Sequence, residues 1–201
     1  EGHDVMEVAS PEGFARNPEL VLEFYNQRRR QLLQVQPNLG HQALVALEQH
    51  YQVNIITQNV DNLHEQAGSS QVLHLHGELL KVRSTVNETY ILDWTTDLVL
   101  GDVDHQGHQL RPHIVWFGEM VPLLQSAAQL TAQADIVIVI GTSMQVYPAA
   151  SLIHYAPKGI PIYFIDPKPN VNTTDFPTLS IIPQTATQGT PTLVKQLIAM
   201  V

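Results

Sequence analysis

The stretch Asp135-Ile-Val-Ile-Val-Ile140 is a continuous apolar run, dominated by β-branched residues, that ends in Gly141-Thr-Ser143. Such a run is typical of a strand buried on both faces of a parallel sheet. Residues 160–165 form a second apolar run of this kind, and helical patterns alternate with strand patterns along much of the chain. This alternation predicts an α/β fold with a doubly wound parallel sheet.

Capping signals and periodicity predict the other elements. Residues 1–17 are expected to be irregular, after which Asn17 caps a helix that begins at Pro18 and runs to about residue 35. Asn38 or Gly40 opens a second helix. Further strands are predicted over residues 53–57, 72–75, 111–117 and 180–182, and further helices over residues 123–134, 147–155 and 192–200.

Residues 78–110 differ in character from the rest, because they are polar and turn-rich with little periodicity. We interpret them as a small inserted module. Residues 1–77 and 111–201 then form a Rossmann-like domain.

Composition excludes several classes of protein. A net charge of −9 argues against a nucleic-acid-binding surface, and the absence of Cys excludes disulfides and a thiolate zinc site. The longest apolar run is far too short to span a bilayer, so a membrane is not an expected partner. Because of the negative net charge, a nucleic acid is not an expected partner either. With no signal peptide at the start of the chain, we expect a cytoplasmic location.

Polar residues follow two of the predicted strands. Gln58, Asn59 and Asp61 come after the strand at residues 53–57, and His76 comes after the strand at residues 72–75. The carboxyl ends of parallel strands form ligand crevices, and a neutral imidazole there suits proton transfer from a sugar hydroxyl. Asn59 and Asp61 could equally cap a short helix that begins near residue 61.

These residues carry a resemblance to a known family. Thr57-Gln-Asn-Val-Asp-Asn-Leu-His64 with Leu75-His-Gly-Glu-Leu79 resembles the signature of the sirtuins, the NAD-dependent protein-lysine deacylases. Arg111-Pro-His-Ile-Val-Trp-Phe-Gly-Glu119, Gly141-Thr-Ser143 and Tyr25-Asn-Gln-Arg28 follow the same family pattern. The resemblance covers nearly the whole chain. It implies transfer of an acyl group from a protein lysine to ADP-ribose, with release of nicotinamide and O-acyl-ADP-ribose.

The resemblance also implies residue roles. His76 would be the general base on the NAD ribose hydroxyls, while His74 and His64 are expected to be structural. The implied NAD-binding residues are Gln58, Asn59, Asp61, Gly141, Thr142, Ser143, Asp166, Pro167, Lys168 and Ala186. Capping chemistry alone could explain Gly-Thr-Ser, and the family more often has Asn where this chain has Asp166.

Two stretches resemble the edges that hold the substrate backbone as an added strand in sirtuins. The residues implied there are Val115, Phe117, Gly118, Glu119, Val146 and Tyr147. Phe117 and Val146 would line the tunnel for the acyl-lysine. Core packing is an equally good interpretation of Val115.

Tyr25 and Arg28 lie three residues apart and therefore share one helix face. A guanidinium beside a phenol is a good carboxylate receptor. The pair resembles the Tyr-x-x-Arg of class III sirtuins, which remove succinyl and malonyl groups, and the bacterial class III type is the expected subgroup. Arg29 and Arg30 leave a solvated basic patch as the alternative.

Two departures from the family pattern stand out. Most sirtuins bind a structural zinc with four cysteines, whereas residues 78–110 hold none, so we expect this segment to fold without metal. Packing by Leu92, Trp94, Leu98 and Leu100 would replace the zinc, and a site built from Asp102, Asp104, His105 and His108 is disfavoured. The N-terminal strand and phosphate loop of the family are also expected to be absent from this chain. A non-catalytic NAD- or ADP-ribose-binding module and an NAD glycohydrolase are the rival functions.

Overall fold

The computed structural model describes residues 4–142, 144–169, 171 and 173–201. Its contacts divide the chain into two compact units. Unit 1 comprises Glu1–Val35, Thr57–Asn62 and His74–Val121, and unit 2 comprises Gln36–Ile56, Leu63–Leu73 and Pro122–Val201.

The elements in chain order are as follows. The α-helices are α1 (Val5–Val8), α2 (Pro11–Arg16), α3 (Pro18–Leu32), α4 (Leu39–Leu47), α5 (Leu63–Ala67), α6 (Leu124–Ala132) and α7 (Ala186–Ile198). The strands are β1 (Ile55–Thr57), β2 (Val72–His74), β3 (Gly77–Ser84), β4 (Ile91–Asp93), β5 (Leu110–Ile114), β6 (Val137–Ile140), β7 (Ile162–Ile165) and β8 (Leu179–Ile182). Two 3₁₀ helices span Ala149–Tyr155 and Thr173–Asp175.

The N-terminal helices of unit 1 follow their caps. The Asn17 side chain accepts the Leu20 N–H, which confirms the predicted start of α3 at Pro18. The expectation that residues 1–17 are irregular is wrong, because Asp4 and Ser10 cap the short helices α1 and α2. Three capped helices therefore follow one another closely.

An antiparallel sheet with the order β4-β3-β5 lies in unit 1. Its eight-residue central strand β3 was not predicted, since Lys81 and Arg83 lie inside a segment that reads as polar loop. Residues 78–110 belong to unit 1, and their treatment as a separate inserted module stays a prediction.

The apolar core of unit 1 joins the predicted module residues to α3. Leu22, Val82, Leu98 and Leu110 form a buried cluster against which Leu92 and Trp94 pack. The predicted packing of Leu92, Trp94 and Leu98 is confirmed. It is wrong for Leu100, which is 46% exposed.

Unit 2 contains the predicted parallel sheet, with the order β6-β7-β8. Its apolar core includes a cluster of Leu47, Ile165, Leu193, Val194 and Leu197. The last helix begins at Ala186, so the predicted start at residue 192 is wrong: α7 continues through Pro191. The predicted helix over residues 147–155 is a 3₁₀ helix that begins at Ala149.

β1 and β2 pair as a two-stranded sheet. Ile55 N–H donates to the Gln71 carbonyl, and Leu75 N–H donates to the Thr57 carbonyl. Both strands therefore end where the polar residues singled out in the sequence begin. Across the described part of the chain, no helix has the length and apolar character needed to cross a membrane.

Candidate active site

His76 lies in the turn between β2 and β3 and is half-buried. Its Nδ1 is 3.2 Å from the carbonyl oxygen of Gln58. A carbonyl only accepts hydrogen bonds, so Nδ1 carries the proton in this contact. In the neutral ring, Nε2 then holds the lone pair, which is the form that a general base needs.

Burial lowers the pKa of His76, and the hydrogen bond to the Gln58 carbonyl only partly opposes this effect. The direction is the one expected when a low-dielectric environment disfavours the charged imidazolium. The ring is therefore neutral at pH 7, ready to accept a proton.

Gly77 explains why His76 is placed where it is. Gly77 has φ +85°, and a Cβ on it would lie 2.0 Å from the His113 carbonyl oxygen. Only glycine permits this approach of β3 to β5. The His76 carbonyl accepts the Val115 N–H at 2.9 Å, so the same approach fixes the backbone of His76.

The segment after β1 is tied down by its backbone. His74 is 8% exposed, and its Nδ1 lies 3.2 Å from the Asn59 carbonyl, in keeping with the structural role expected for it. Asn59 N–H donates to Thr57 Oγ1, and the Val60 carbonyl accepts the Leu79 N–H. These hydrogen bonds fix the backbone of the segment after β1, which carries Gln58, Asn59 and Asp61. The segment lies in the same unit as His76.

His64 lies instead in unit 2, in α5, where its ring meets His41 edge to face at a centroid distance of 4.7 Å. This packing fits a structural role.

Tyr25 and Arg28 lie on one face of α3, as predicted from their spacing. Tyr25 is 5% exposed, and its hydroxyl oxygen accepts the Trp116 Nε1–H at 2.9 Å. Arg28 is half-buried; its guanidinium stacks on the Phe24 ring at 3.3 Å and donates to the Phe24 carbonyl. Burial raises the pKa of Tyr25 to about 12, so the phenol keeps its proton.

The alternative of a solvated basic patch is wrong. Arg29 is 1% exposed and donates to the Leu79 carbonyl and to Asn26 Oδ1. Arg30 is exposed but forms ion pairs with Glu23 and Asp97. The three consecutive arginines therefore have three different environments.

A buried charge cluster supports this region, and sequence reasoning missed most of it. Arg111 Nη1 lies 2.6 Å from the Glu119 carboxylate, and Arg83 Nη2 lies 3.2 Å from it. The Arg111 guanidinium also stacks on the Trp116 ring at 3.3 Å. Arg111, Trp116 and Glu119 all stand in the quoted 111–119 motif, so the opposite charges at its ends were an available signal.

The predicted substrate edge at residues 115–119 is partly used within unit 1. The N–H groups of Val115, Phe117 and Glu119 donate to the carbonyls of His76, Ala9 and Trp116. The Glu119 carboxylate belongs to the charge cluster. Phe117 is 52% exposed, and Gly118 is exposed as well.

The remaining predicted residues lie in unit 2, at the carboxyl ends of its parallel strands. Gly141 follows β6 with φ +60°, and no atom lies within 4 Å of the position of a Cβ. Asp166 follows β7 and accepts the Lys168 N–H at 2.7 Å. Ala186 is the first residue of α7.

Other predicted residues of unit 2 are mainly exposed. Pro167 is exposed and Thr142 half-buried, while Val146 and Tyr147 are 42% and 71% exposed. Ser143 lies outside the described residues.

These features fit NAD. Open space above a left-handed glycine allows a phosphate or ribose to approach the backbone, and a carboxylate at the next strand end can accept from ribose hydroxyls.

Within the segment 78–110, which is expected to fold without metal, Asp104 forms its hydrogen bonds inside the segment. Its carboxylate accepts the N–H groups of Gln106 and His108 and contacts His108 Nδ1 at 3.3 Å. Among the residues that the structure describes, no group of three or more His, Asp or Glu side chains is placed to hold a metal ion.

Comparison with known proteins agrees with this geometry. A Sir2 homologue in complex with ADP-ribose superposes with a TM-score of 0.89 at 36% identity, covering 98% of this chain and 81% of that one. A Sir2 homologue–NAD complex gives a TM-score of 0.89 at 36% identity, covering 99% and 79%. The fold is thus the Rossmann-like α/β fold of these proteins.

Sequence relatives agree. The sequence model of the Sir2 family matches residues 1–148 of this chain. An NAD-dependent protein deacylase of Helicobacter pylori is 64% identical over 168 residues, covering 84% of this chain and 73% of the relative. One from Bacteroides thetaiotaomicron is 50% identical over 202 residues, covering 98% and 86%. The chain belongs to the Sir2 family. It is an NAD-dependent protein deacylase, and its cofactor is NAD.

Proposed function

We propose that this deacylase prefers lysine acyl groups that end in a carboxylate, such as succinyl and malonyl. The observation that carries the proposal is the placement of Arg28 one helical turn from the buried phenol of Tyr25, on the same face of α3. Among the described residues, the positive charges that act on this phenol are those of Arg28 and Arg111. A guanidinium beside a phenol that keeps its proton is a good receptor for a carboxylate.

Arg28 supplies the direct partner in this proposal. A half-buried guanidinium next to a protonated phenol offers a carboxylate one charge-assisted and one neutral donor. A hydrogen bond to a charged group contributes about 1.5–3 kcal/mol, which corresponds to roughly 10- to 150-fold in kcat/KM. An acetyl group has no carboxylate and gains nothing from it.

For the chemistry, we propose that His76 is the general base. NAD, when bound, supplies nicotinamide as the leaving group and a ribose hydroxyl as the acyl acceptor. His76 Nε2 is the atom that takes the hydroxyl proton, and the Gln58 carbonyl holds the ring in the required tautomer. The acylated lysine of a protein segment is the second substrate. We assign Asn59 and Asp61 to the nicotinamide end of NAD.

Further residues are proposed for the remaining contacts. Gly141, Thr142 and Asp166 are proposed to bind phosphate or ribose groups of NAD. Phe117 and Gly118, both exposed, are proposed to contact the substrate chain. A cytoplasmic location stays a prediction from the sequence.

The test is kcat/KM on succinyl-, malonyl- and acetyl-lysine versions of one peptide, for the wild type and Arg28→Met. We expect Arg28→Met to lower kcat/KM for the succinyl and malonyl peptides roughly 10- to 150-fold more than kcat/KM for the acetyl peptide. Arg30→Met is the matched control, because Arg30 lies on the same helix but pairs only at the surface. Arg29 is unsuitable as a control, since it is buried. Equal losses on all three peptides would contradict the proposal.

A further inference from the structure

Among the residues that the structure describes, Trp116 is the only one that forms a hydrogen bond with the Tyr25 side chain. The indole Nε1–H donates to the phenol oxygen at 2.9 Å, and Trp116 is 2% exposed. Indole nitrogen can donate but cannot accept. The contact therefore has a fixed direction, from Trp116 to Tyr25.

This direction matters for the ligand of Tyr25. A phenol has one proton to donate, and a carboxylate can only accept. If the neighbour of Tyr25 were an acceptor, it would compete for that proton. Because the neighbour is a donor, the Tyr25 proton remains to be given to an anion.

The indole is itself held in place. The Arg111 guanidinium stacks on its ring at 3.3 Å, and the Phe14 ring lies 5.3 Å away on a tilted plane. The Glu119 carboxylate accepts the Trp116 backbone N–H at 2.8 Å and pairs with Arg111. A ring with these contacts has a single orientation available for its N–H.

We propose that Trp116 is a specificity-determining positioning residue: its indole N–H fixes Tyr25 as a hydrogen-bond donor toward the carboxylate of an acidic acyl group. The inference rests on the proposed preference for such groups. Trp116 acts only through Tyr25 and contacts no substrate atom. Glu119 and Arg111 act indirectly, because they orient the indole of Trp116.

The experiment is a double-mutant cycle of Trp116→Phe and Tyr25→Phe, measured as the ratio of succinyl- to acetyl-lysine kcat/KM on one peptide. Phenylalanine keeps an aromatic ring for Arg111 but lacks the N–H. We expect Trp116→Phe alone to lower the ratio roughly three- to tenfold, the size of one hydrogen bond. In the Tyr25→Phe background the same change should leave the ratio unaltered.

Thermal unfolding separates this role from a general loss of structure. Tyr25→Phe leaves the buried Trp116 N–H without an acceptor, so the double variant should recover part of the Tm that Tyr25→Phe loses. If Trp116→Phe does not fold, a benzothienyl analogue at position 116 replaces N–H by sulfur at nearly constant volume. The same ratio is then measured on that protein.

The outcomes are distinguishable. If Trp116→Phe leaves the ratio unchanged, with any loss equal on both peptides, the role of Trp116 is overturned. The acyl preference is then still tested by Arg28→Met. An equal effect of Trp116→Phe in both Tyr25 backgrounds also overturns the role of Trp116. If Arg28→Met and Tyr25→Phe both leave the ratio unchanged, the proposed acyl preference itself fails.

Discussion

Unit 1 and unit 2 bury different kinds of side chain. The charged residues that the structure describes as buried all belong to unit 1: Arg29, Arg83, Asp104 and Arg111. The buried polar residues described in unit 2 are the uncharged Ser69, Thr131 and Thr190. Unit 2 is thus built mainly on apolar packing, whereas unit 1 also depends on directional polar contacts.

The difference separates two tasks. Apolar packing stabilises a fold without fixing individual atoms closely, since cores of similar volume substitute for one another. Hydrogen bonds and ion pairs fix direction. The proposed general base, His76, and the proposed carboxylate receptor, the Tyr25–Arg28 pair, both lie in the unit with the directional contacts.

The largest expected effect is on the chemistry of unit 1. His76→Ala should lower turnover by roughly 10²–10⁴, the usual contribution of a general base, with the circular dichroism spectrum unchanged. His50→Ala is the control, because His50 is exposed and lies in unit 2. Deacylation by His76→Ala at the wild-type rate would remove His76 from the mechanism.

The next effect tests the apolar character of unit 2. Leu193 is 1% exposed in the core cluster, so Leu193→Ala should reduce the free energy of unfolding by about 2–5 kcal/mol. The loss should be the same at pH 4 and pH 7, because no charge is involved. Urea unfolding followed by circular dichroism measures it. A strongly pH-dependent loss would show that unit 2 contains buried charge interactions after all.

A smaller and pH-dependent effect is expected for Glu119→Gln in unit 1. Partial burial acts to raise the pKa of Glu119. The hydrogen bonds from Arg111 and from the backbone N–H of Trp116 outweigh this effect and hold the pKa below its usual value. The carboxylate therefore stabilises the fold above the unfolded-state pKa, about 4.3, and this stabilisation is lost as pH falls through the lower folded-state pKa. Glu119→Gln leaves the guanidiniums of Arg83 and Arg111 without their counter-charge, but the amide oxygen of Gln still accepts a hydrogen bond. The cost near pH 7 should therefore lie below the about 3–5 kcal/mol of a buried ion pair that is broken outright.

Tryptophan fluorescence suits this measurement, because both tryptophans, Trp94 and Trp116, lie in unit 1. The difference in unfolding free energy between wild type and Glu119→Gln should shrink as pH is lowered below 4. Arg30→Met serves as the control for an exposed ion pair and should destabilise the protein much less than Glu119→Gln. A Glu119→Gln loss that does not change with pH would contradict the ion-pair explanation.

The same contrast explains what the sequence could predict. The strands β6 and β7 were predicted because a buried parallel strand is apolar along its whole length. The strand β3 was missed because Arg83 faces inward to an ion pair, which breaks the apolar pattern. Periodicity detects burial only where burial is apolar.

The candidate site also comes from motifs, and its roles stay predictions. The motif Leu-His-Gly singles out His76, and the three-residue spacing predicts that Tyr25 and Arg28 share one helix face, as they do on α3. The reason for Gly77 became visible only through the close approach of His113. The Trp116–Tyr25 contact joins residues 91 positions apart, and no local pattern encodes it.

The smallest effect concerns the pH dependence of His76. The base must be neutral to take a proton, so kcat/KM falls as pH drops through its pKa in the free enzyme. Burial lowers this pKa from the ordinary value of 6.5, against the weaker opposing effect of the Gln58 carbonyl, so the midpoint of the loss should lie below pH 6.5. Because kcat/KM reports the free enzyme, acetyl- and succinyl-lysine peptides should show the same fall. The succinyl peptide should show a second fall near pH 4.3, about where a free carboxylate protonates. An acid limb centred at or above pH 6.5 on both peptides would mean that the titrating base is not the half-buried His76.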